Sequence, residues 1–182
     1  HKILIEKLNM YLPSFAPNNT NQGKPATHPT FSDTTTFLKS YLTNRVQYVS
    51  VHGSHSSDGT VTRGVPQGSV LGPILFNIFI NDLPLHLMPN KVCCDLYADD
   101  ASMHTPDTDI NCINERLQNG LHTVSNWCKA NSMVLNPLKT ECMVVAVRQK
   151  QQRDPLTLNL VIEDHPIVQV TEHRLLGVTV DH

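Results

Sequence analysis

In Val92-Cys93-Cys94-Asp95-Leu96-Tyr97-Ala98-Asp99-Asp100-Ala101-Ser102-Met103-His104, two adjacent carboxylates separate two segments that favour β-strands. Side chains alternate between the faces of an extended chain, so a tight turn here would place Asp99 and Asp100 at the tip of a hairpin. Adjacent like charges repel, and carboxylates with phosphate oxygens are preferred ligands of Mg²⁺. The stretch therefore predicts either a metal-binding hairpin or an acidic turn whose Asp side chains form local hydrogen bonds.

The length and composition fit a soluble globular domain. The chain has 182 residues, of which 40% are hydrophobic and 16% charged, which suits one domain or a large piece of one. A formal charge of -2 disfavours an autonomous nucleic-acid binder, which typically carries a basic patch. The cysteines have no paired spacing, so a disulfide framework and secretion are not expected. The apolar runs are too short to span a bilayer, and no membrane partner is expected.

Upstream of the central stretch, the pattern predicts two helices, a loop and a hairpin. An apolar stripe predicts a helix over residues 1–12, and the Pro-, Asn- and Thr-rich residues 13–32 predict an exposed, disordered loop. A second helix over residues 33–44 is followed by a hairpin over residues 46–63, with a turn signal at Asp58-Gly59.

The next segments combine caps with apolar stripes. Residues 64–69 are rich in turn formers, and Ser69 is predicted to cap a helix over residues 70–79 that is apolar nearly all round and hence buried. Asp107 is predicted to cap a long helix with one clear apolar stripe.

The last third of the chain favours strands. Strands are predicted over residues 132–136 and 141–147, a hairpin over 158–170 and a final strand over 175–180. Helices and strands follow each other without regular βαβ alternation. The fold class predicted is α+β, with helices packed on one face of a mainly antiparallel sheet.

Three motifs follow one another in order. They are Gly64-Val65-Pro66-Gln67-Gly68-Ser69-Val70-Leu71-Gly72-Pro73, Asn81-Asp82-Leu83-Pro84 and Tyr97-Ala98-Asp99-Asp100. In this order and spacing the chain resembles the palm of reverse transcriptases, most closely those of non-LTR (LINE-type) retrotransposons. The resemblance extends to residues 1–8 and 37–45, to a lysine-bearing motif at 135–140 and to a turn at the palm edge at 175–178.

The resemblance implies a polymerase that transfers a nucleotide from a dNTP to a primer 3′-hydroxyl with two Mg²⁺ ions. Asp99 corresponds to the main metal ligand of the family and Asp100 to its supporting neighbour, both counted as catalytic. Lys139 corresponds to the residue that neutralises or protonates the pyrophosphate leaving group, and the alternative is a solvated turn lysine. The residues expected to contact substrate are Pro66, Gln67, Gly68, Tyr97 and Ala98. The partners implied are an RNA template, a DNA primer and the fingers and thumb of a longer polypeptide.

One departure from the family concerns the partner carboxylate. The family carries another Asp on a palm strand just before the segment that matches residues 1–8, and this chain starts after that point. Phe31-Ser32-Asp33 has a similar Phe-x-Asp pattern but lies downstream, which makes Asp33 an alternative ligand. The isolated chain is therefore expected to be inactive.

The resemblance also predicts a domain organisation and a location. Residues 1–12 form a helix, 13–32 a loop, 33–147 the palm core and 148–182 the palm edge that leads to the thumb. The parent polypeptide is expected inside the cell, in the nucleus and cytoplasm. One alternative is a decayed or repurposed remnant that serves as a nucleic-acid-binding or interaction module. Another is the palm of a viral RNA-dependent RNA polymerase, a group that has Gly-Asp-Asp where this chain has Ala98-Asp99-Asp100.

Overall fold

The computed structural model describes residues 1–11, 31–146 and 156–181, which fall into two compact units, His1–Asn81 and Asp82–His182. The predicted loop over residues 13–32 lies outside these ranges, except that its last two residues begin a helix. The predicted strand over 141–147 and the predicted palm edge are described only in part. No helix among the described residues is long and apolar enough to cross a membrane.

The first unit contains three helices and a long hairpin. Its elements are α1 (Lys2–Tyr11), α2 (Phe31–Leu42), β1 (Val46–Gln47), β2 (Ser50–Val51), β3 (Ser54–His55), β4 (Gly59–Thr60) and α3 (Gly72–Ile80). The three helices bury a cluster of leucines, which are Leu4, Leu8, Leu38, Leu42 and Leu75. Lys7 is buried beside this cluster because its Nζ donates a 2.7 Å hydrogen bond to the Phe79 carbonyl near the end of α3.

The hairpin of the first unit turns earlier than predicted. Gln47 pairs with Gly59 in the outer ladder, and Val51 pairs with Ser54 in the inner one. The tip is therefore His52-Gly53, where both residues have positive φ. The prediction of a turn at Asp58-Gly59 is wrong, because Gly59 lies in the returning strand.

Helix α3 also differs from its prediction. It begins at Gly72, and the preceding Leu71 makes no side-chain capping bond. Only one side of α3 is buried, while Ile74 and the preceding Val70 are exposed. The helix was predicted from apolar composition, which does not reveal how many of its faces find a partner.

The second unit joins a hairpin to a long helix. Its helices are α4 (Leu83–Leu87) and α5 (Ile110–Ala130), with 3-10 turns at Met88–Asn90 and Pro137–Lys139. Its strands are β5 (Cys93–Tyr97), β6 (Asp100–His104), β7 (Glu141–Cys142), β8 (Val161–Ile162), β9 (His165–Pro166), β10 (Val168–Gln169), β11 (Glu172–Leu175) and β12 (Val178–Asp181). In α5, Leu121 packs with Leu158, Leu160, Ile162 and Ile167 from the chain around β8 and β9.

Side-chain amides of α5 hold the neighbouring strand in register. The Gln118 amide accepts from the Val161 N–H and donates to the Val161 carbonyl, both at 2.9 Å. One turn earlier, the Asn114 side chain accepts from the Asn159 N–H at 2.7 Å. These bonds satisfy backbone polar groups of Asn159 and Val161, while the residues between and beside them point into the core.

Four further predictions for the second unit need correction. Asp109, and not Asp107, caps α5, because its side chain accepts from the Asn111 N–H. Residues 132–136 form no strand, and only Glu141–Cys142 is extended in the described part of the next one. The final segment is a hairpin, β11 with β12, that turns at Leu176-Gly177, which agrees with the turn implied by the family resemblance.

The strands pair in twos and do not form one large sheet within the described ranges. Five pairs are antiparallel, and β7 with β10 is parallel. Helices combined with mainly antiparallel pairs are consistent with the predicted α+β class. The prediction of a hairpin over 158–170 is confirmed by β8 and β9, which turn at Glu163-Asp164.

Candidate active site

The Asp99 turn joins β5 and β6 through two residues. Tyr97 pairs with Asp100, so only Ala98 and Asp99 lie between the strands. Ala98 has φ +51°, a region that residues other than glycine occupy rarely and at a cost on the order of 1 kcal/mol. The predicted hairpin is confirmed, with Asp99 in its turn and Asp100 at the first position of β6.

The strand register sorts the hairpin side chains onto two faces. Tyr97 and Asp100 lie on the same face as Asp95 and His104, because paired residues share a face and alternate residues repeat it. On that face the His104 Nδ1 lies 3.4 Å from Asp95 Oδ2, and both side chains are exposed. Cys94 lies on the opposite face, where burial raises the pKa of its thiol and the charge of Asp95 raises it further.

The carboxylates of the turn are open to solvent. Asp99 and Asp100 are both exposed, as is Tyr97. Within the described ranges, no group of three or more His, Cys, Asp or Glu side chains is arranged to hold a metal ion. This turn offers two exposed carboxylates, and Mg²⁺ is commonly bound by one or two carboxylates together with substrate phosphates.

The Gln67 loop of the first unit is closed by its own contacts. The Ser69 Oγ donates to the Pro66 carbonyl at 2.7 Å and accepts from the Gly72 N–H at 3.0 Å. Gln67 and Gly68 are exposed between these contacts, and Gly68 has φ +75°, which favours glycine. Ser69 was predicted to cap a helix; α3 begins later, at Gly72, but the Ser69 hydroxyl does accept from the N–H of that first residue, and it also joins the two ends of this loop.

Lys139 lies at the end of the second 3-10 turn. Asn136 caps this turn by accepting from the Leu138 N–H, and the Thr140 hydroxyl donates to the Asn136 carbonyl. The Lys139 side chain is exposed, and no hydrogen bond or ion pair joins it to Asp99 or Asp100 in the described structure. Asp33, the alternative ligand, lies in the first turn of α2 in the other unit.

Several polar residues form structural contacts that the sequence did not predict. The Asp82 side chain accepts a 3.2 Å hydrogen bond from the Trp127 indole, which ties the start of α4 to α5. The Asp107 carboxylate binds Arg116 at 2.8 Å, and the N–H groups of Thr108 and Asp109 donate to it. An Asp followed within two residues by another turn former is a signal for such local bonds, but it does not tell which Asp caps the helix.

Comparison with known families identifies the class. Residues 22–180 match the model of the family described as reverse transcriptase (RNA-dependent DNA polymerase), so the chain belongs to that family. The family implies a polymerase palm-like fold. The predicted resemblance to reverse transcriptases of non-LTR (LINE-type) retrotransposons is confirmed.

The relatives come from mobile elements of flies. The chain is similar to the probable RNA-directed DNA polymerase from transposon BS of Drosophila melanogaster, at 36% identity over 154 residues. It is 32% identical over 151 residues to the RNA-directed DNA polymerase from mobile element jockey of the same species. Each match covers 79% of this chain and 16% of the relative, so the chain spans about one sixth of these proteins. No solved structure matches it significantly. These findings favour neither a non-catalytic remnant nor a viral RNA polymerase.

Proposed function

We propose that the chain forms the palm portion of an RNA-directed DNA polymerase from a non-LTR retrotransposon. The observation that carries the proposal is the two-residue turn that presents Asp99 and Asp100 to solvent inside the region matched by the family. An RNA template, a DNA primer and a dNTP are the proposed partners. The parent polypeptide acts inside the cell.

The turn is suited to Mg²⁺. Asp99 and Asp100 supply hard oxygen donors and would hold the ion, whose positive charge would offset their mutual repulsion. Bound Mg²⁺ supplies stabilisation of the attacking and leaving oxygens of the phosphoryl transfer. Asp99 is proposed as the main ligand, because it occupies the turn itself, and Asp100 as its support at the start of the strand.

The remaining contacts are assigned to the Gln67 loop, to the residues beside the acids and to Lys139. Pro66, Gln67 and Gly68 are proposed to face the incoming nucleotide, where the absence of a side chain at Gly68 permits close backbone approach. Tyr97 and Ala98 flank the acids and contact the substrate beside them. Lys139 carries an exposed ammonium group suited to neutralising the pyrophosphate leaving group.

Nucleotide binding tests the proposed site. A fluorescent dTTP analogue should bind the chain only with Mg²⁺, and Asp99→Asn with Asp100→Asn should weaken binding at least tenfold. Asp58→Asn, an exposed substitution in the other unit, is the matched control and should leave binding unchanged. Binding that persists without Mg²⁺ or in the double variant would refute the assignment.

We further propose that the chain does not polymerise alone, since the described acids supply only two ligands at the turn. Primer extension on poly(rA) with oligo(dT), dTTP and Mg²⁺ should then give no more product than the Asp99→Ala variant. Incorporation above that control would show that the chain completes the site, and Asp33→Ala would then test whether Asp33 is the additional ligand.

A further inference from the structure

We infer that Ser69 is a positioning residue, whose hydroxyl fixes the backbone on both sides of Gln67 and Gly68. The inference rests on the proposed function, in which those two residues face the incoming nucleotide. It assigns a role to a side chain that the sequence predicts only as a helix cap.

The Ser69 hydroxyl closes the Gln67 loop from both ends. It donates to the Pro66 carbonyl at 2.7 Å and accepts from the Gly72 N–H at 3.0 Å. The Ser69 N–H also lies 3.3 Å from the Pro66 carbonyl, and the Gly72 N–H lies 3.3 Å from the Ser69 carbonyl. One small side chain thus connects the start of the loop to the first residue of α3.

The lack of a side chain at Gly72 lets Pro66 and Ser69 pack closely against its backbone. A Cβ at this buried position would lie 2.9 Å from the Pro66 carbonyl oxygen and 3.1 Å from the Ser69 Oγ. The nearer neighbour is backbone, which cannot rotate away as a side chain can. The residues that Ser69 joins are therefore closely packed against Gly72.

The closed loop directs its middle residues outward. Gln67 and Gly68 are exposed and form no hydrogen bond with other described residues. The left-handed φ of Gly68 reverses the chain direction between Pro66 and Ser69. Since Pro66 and Gly72 are held by Ser69, the polar groups of Gln67 and Gly68 remain available to a nucleotide without a prior rearrangement.

The test compares Ser69→Ala with Ser69→Thr, which retains the hydroxyl, and with Ser50→Ala, an exposed serine in β2 of the same unit. The first readout is amide exchange at Gly72, followed by NMR. The second is the Kd of the fluorescent dTTP analogue with Mg²⁺. Ser69→Cys keeps the volume but weakens both hydrogen bonds, and it takes the place of Ser69→Ala should that variant fail to fold.

Ser69→Ala should raise Gly72 exchange and the nucleotide Kd each by roughly tenfold, because both hydroxyl bonds are lost. Ser69→Thr should restore both values, and Ser50→Ala should change neither. Unchanged Gly72 exchange, or nucleotide binding that ignores Ser69→Ala, would overturn the positioning role while leaving the proposed function intact. Failure of the unaltered chain to bind nucleotide would instead overturn the proposed function and the positioning role with it.

Discussion

The two segments that carry the proposed substrate contacts are held in opposite ways. The Gln67 loop is closed by contacts within itself, from Pro66 through Ser69 to Gly72. The Asp99 turn has two residues only, and its shape is imposed by the strands on either side, which hold Ala98 at φ +51°. The first is specified locally, whereas the second depends on packing at a distance from the turn.

Because of this difference, we expect different substitutions to damage each segment. The loop should fail when its own small residues change. The turn should fail when the support of β5 and β6 is removed, and it should improve when its backbone is relaxed.

The largest effect is expected at Gly72. Gly72→Ala places a Cβ against the Pro66 carbonyl and should lower the free energy of unfolding of the first unit by about 3 kcal/mol. Gly59→Ala is the matched control, because its Cβ would meet its nearest neighbour at 3.7 Å, which is ordinary contact. Urea unfolding measures both variants. Equal stability of the two would contradict a loop closed by its own contacts.

The second largest loss of stability is expected from Val92→Ala, which removes packing beneath the β5–β6 hairpin. Val92 precedes β5 and is buried, and Gly120 of α5 lies close to its methyl groups. Val92→Ala should cost about 2 kcal/mol and raise amide exchange at Tyr97 and Asp100. Val134→Ala, at a position 92% exposed, should stay within about 0.5 kcal/mol of the unaltered chain. Loss of stability without faster exchange at the turn would show that the strands do not impose its shape.

A smaller effect of opposite sign is expected at the turn itself. Ala98→Gly removes the steric cost of a left-handed φ and should stabilise the second unit by about 0.5 kcal/mol, after the entropy cost of glycine is subtracted. Ala101→Gly, in the adjacent strand, should destabilise it by about 1 kcal/mol. Thermal unfolding of the pair gives the comparison. A loss of stability in both variants would argue against strain at Ala98.

The smallest effect follows from the segment between β6 and α5. Hydrogen bonds from the Asp109 and Thr108 N–H groups, together with the Arg116 charge, lower the pKa of Asp107. A carboxyl with a lowered folded pKa contributes stability above its unfolded pKa and loses it as the pH falls through the folded value. The contribution should therefore begin to fall below about pH 4 and be lost only below the lowered folded pKa. Asp107→Asn should flatten that part of the stability profile, and an unchanged profile would refute the role of the carboxylate.

The sequence was most informative where short-range patterns decide the structure. The alternation around Ala98 and Asp99 predicted the hairpin, and the apolar stripe predicted α5, because both signals are periodic and local. The motifs then identified the family, which composition and charge could not do. The Asp99 turn was therefore predictable from residue order, whereas its metal-binding role stays a prediction.

Other features depend on contacts that are distant or ambiguous in sequence. The sequence signal at Asp58-Gly59 predicted the wrong turn, and only the strand pairing shows that the tip lies at His52-Gly53. Asp107 and Asp109 are both suitable helix caps, and the ion pair with Arg116 takes one of them. The role of Ser69 required the position of the Pro66 carbonyl, which residue types do not reveal.

The most direct test of the metal-binding hairpin is paramagnetic broadening by Mn²⁺ in the NMR spectrum of the chain. Mn²⁺ accepts the same oxygen ligands as Mg²⁺ and broadens amide signals near its site. We expect broadening centred on Ala98, Asp99 and Asp100, competed by Mg²⁺ and abolished by Asp99→Asn with Asp100→Asn. Broadening centred elsewhere, or unchanged in the double variant, would contradict the assignment of this turn as the metal site.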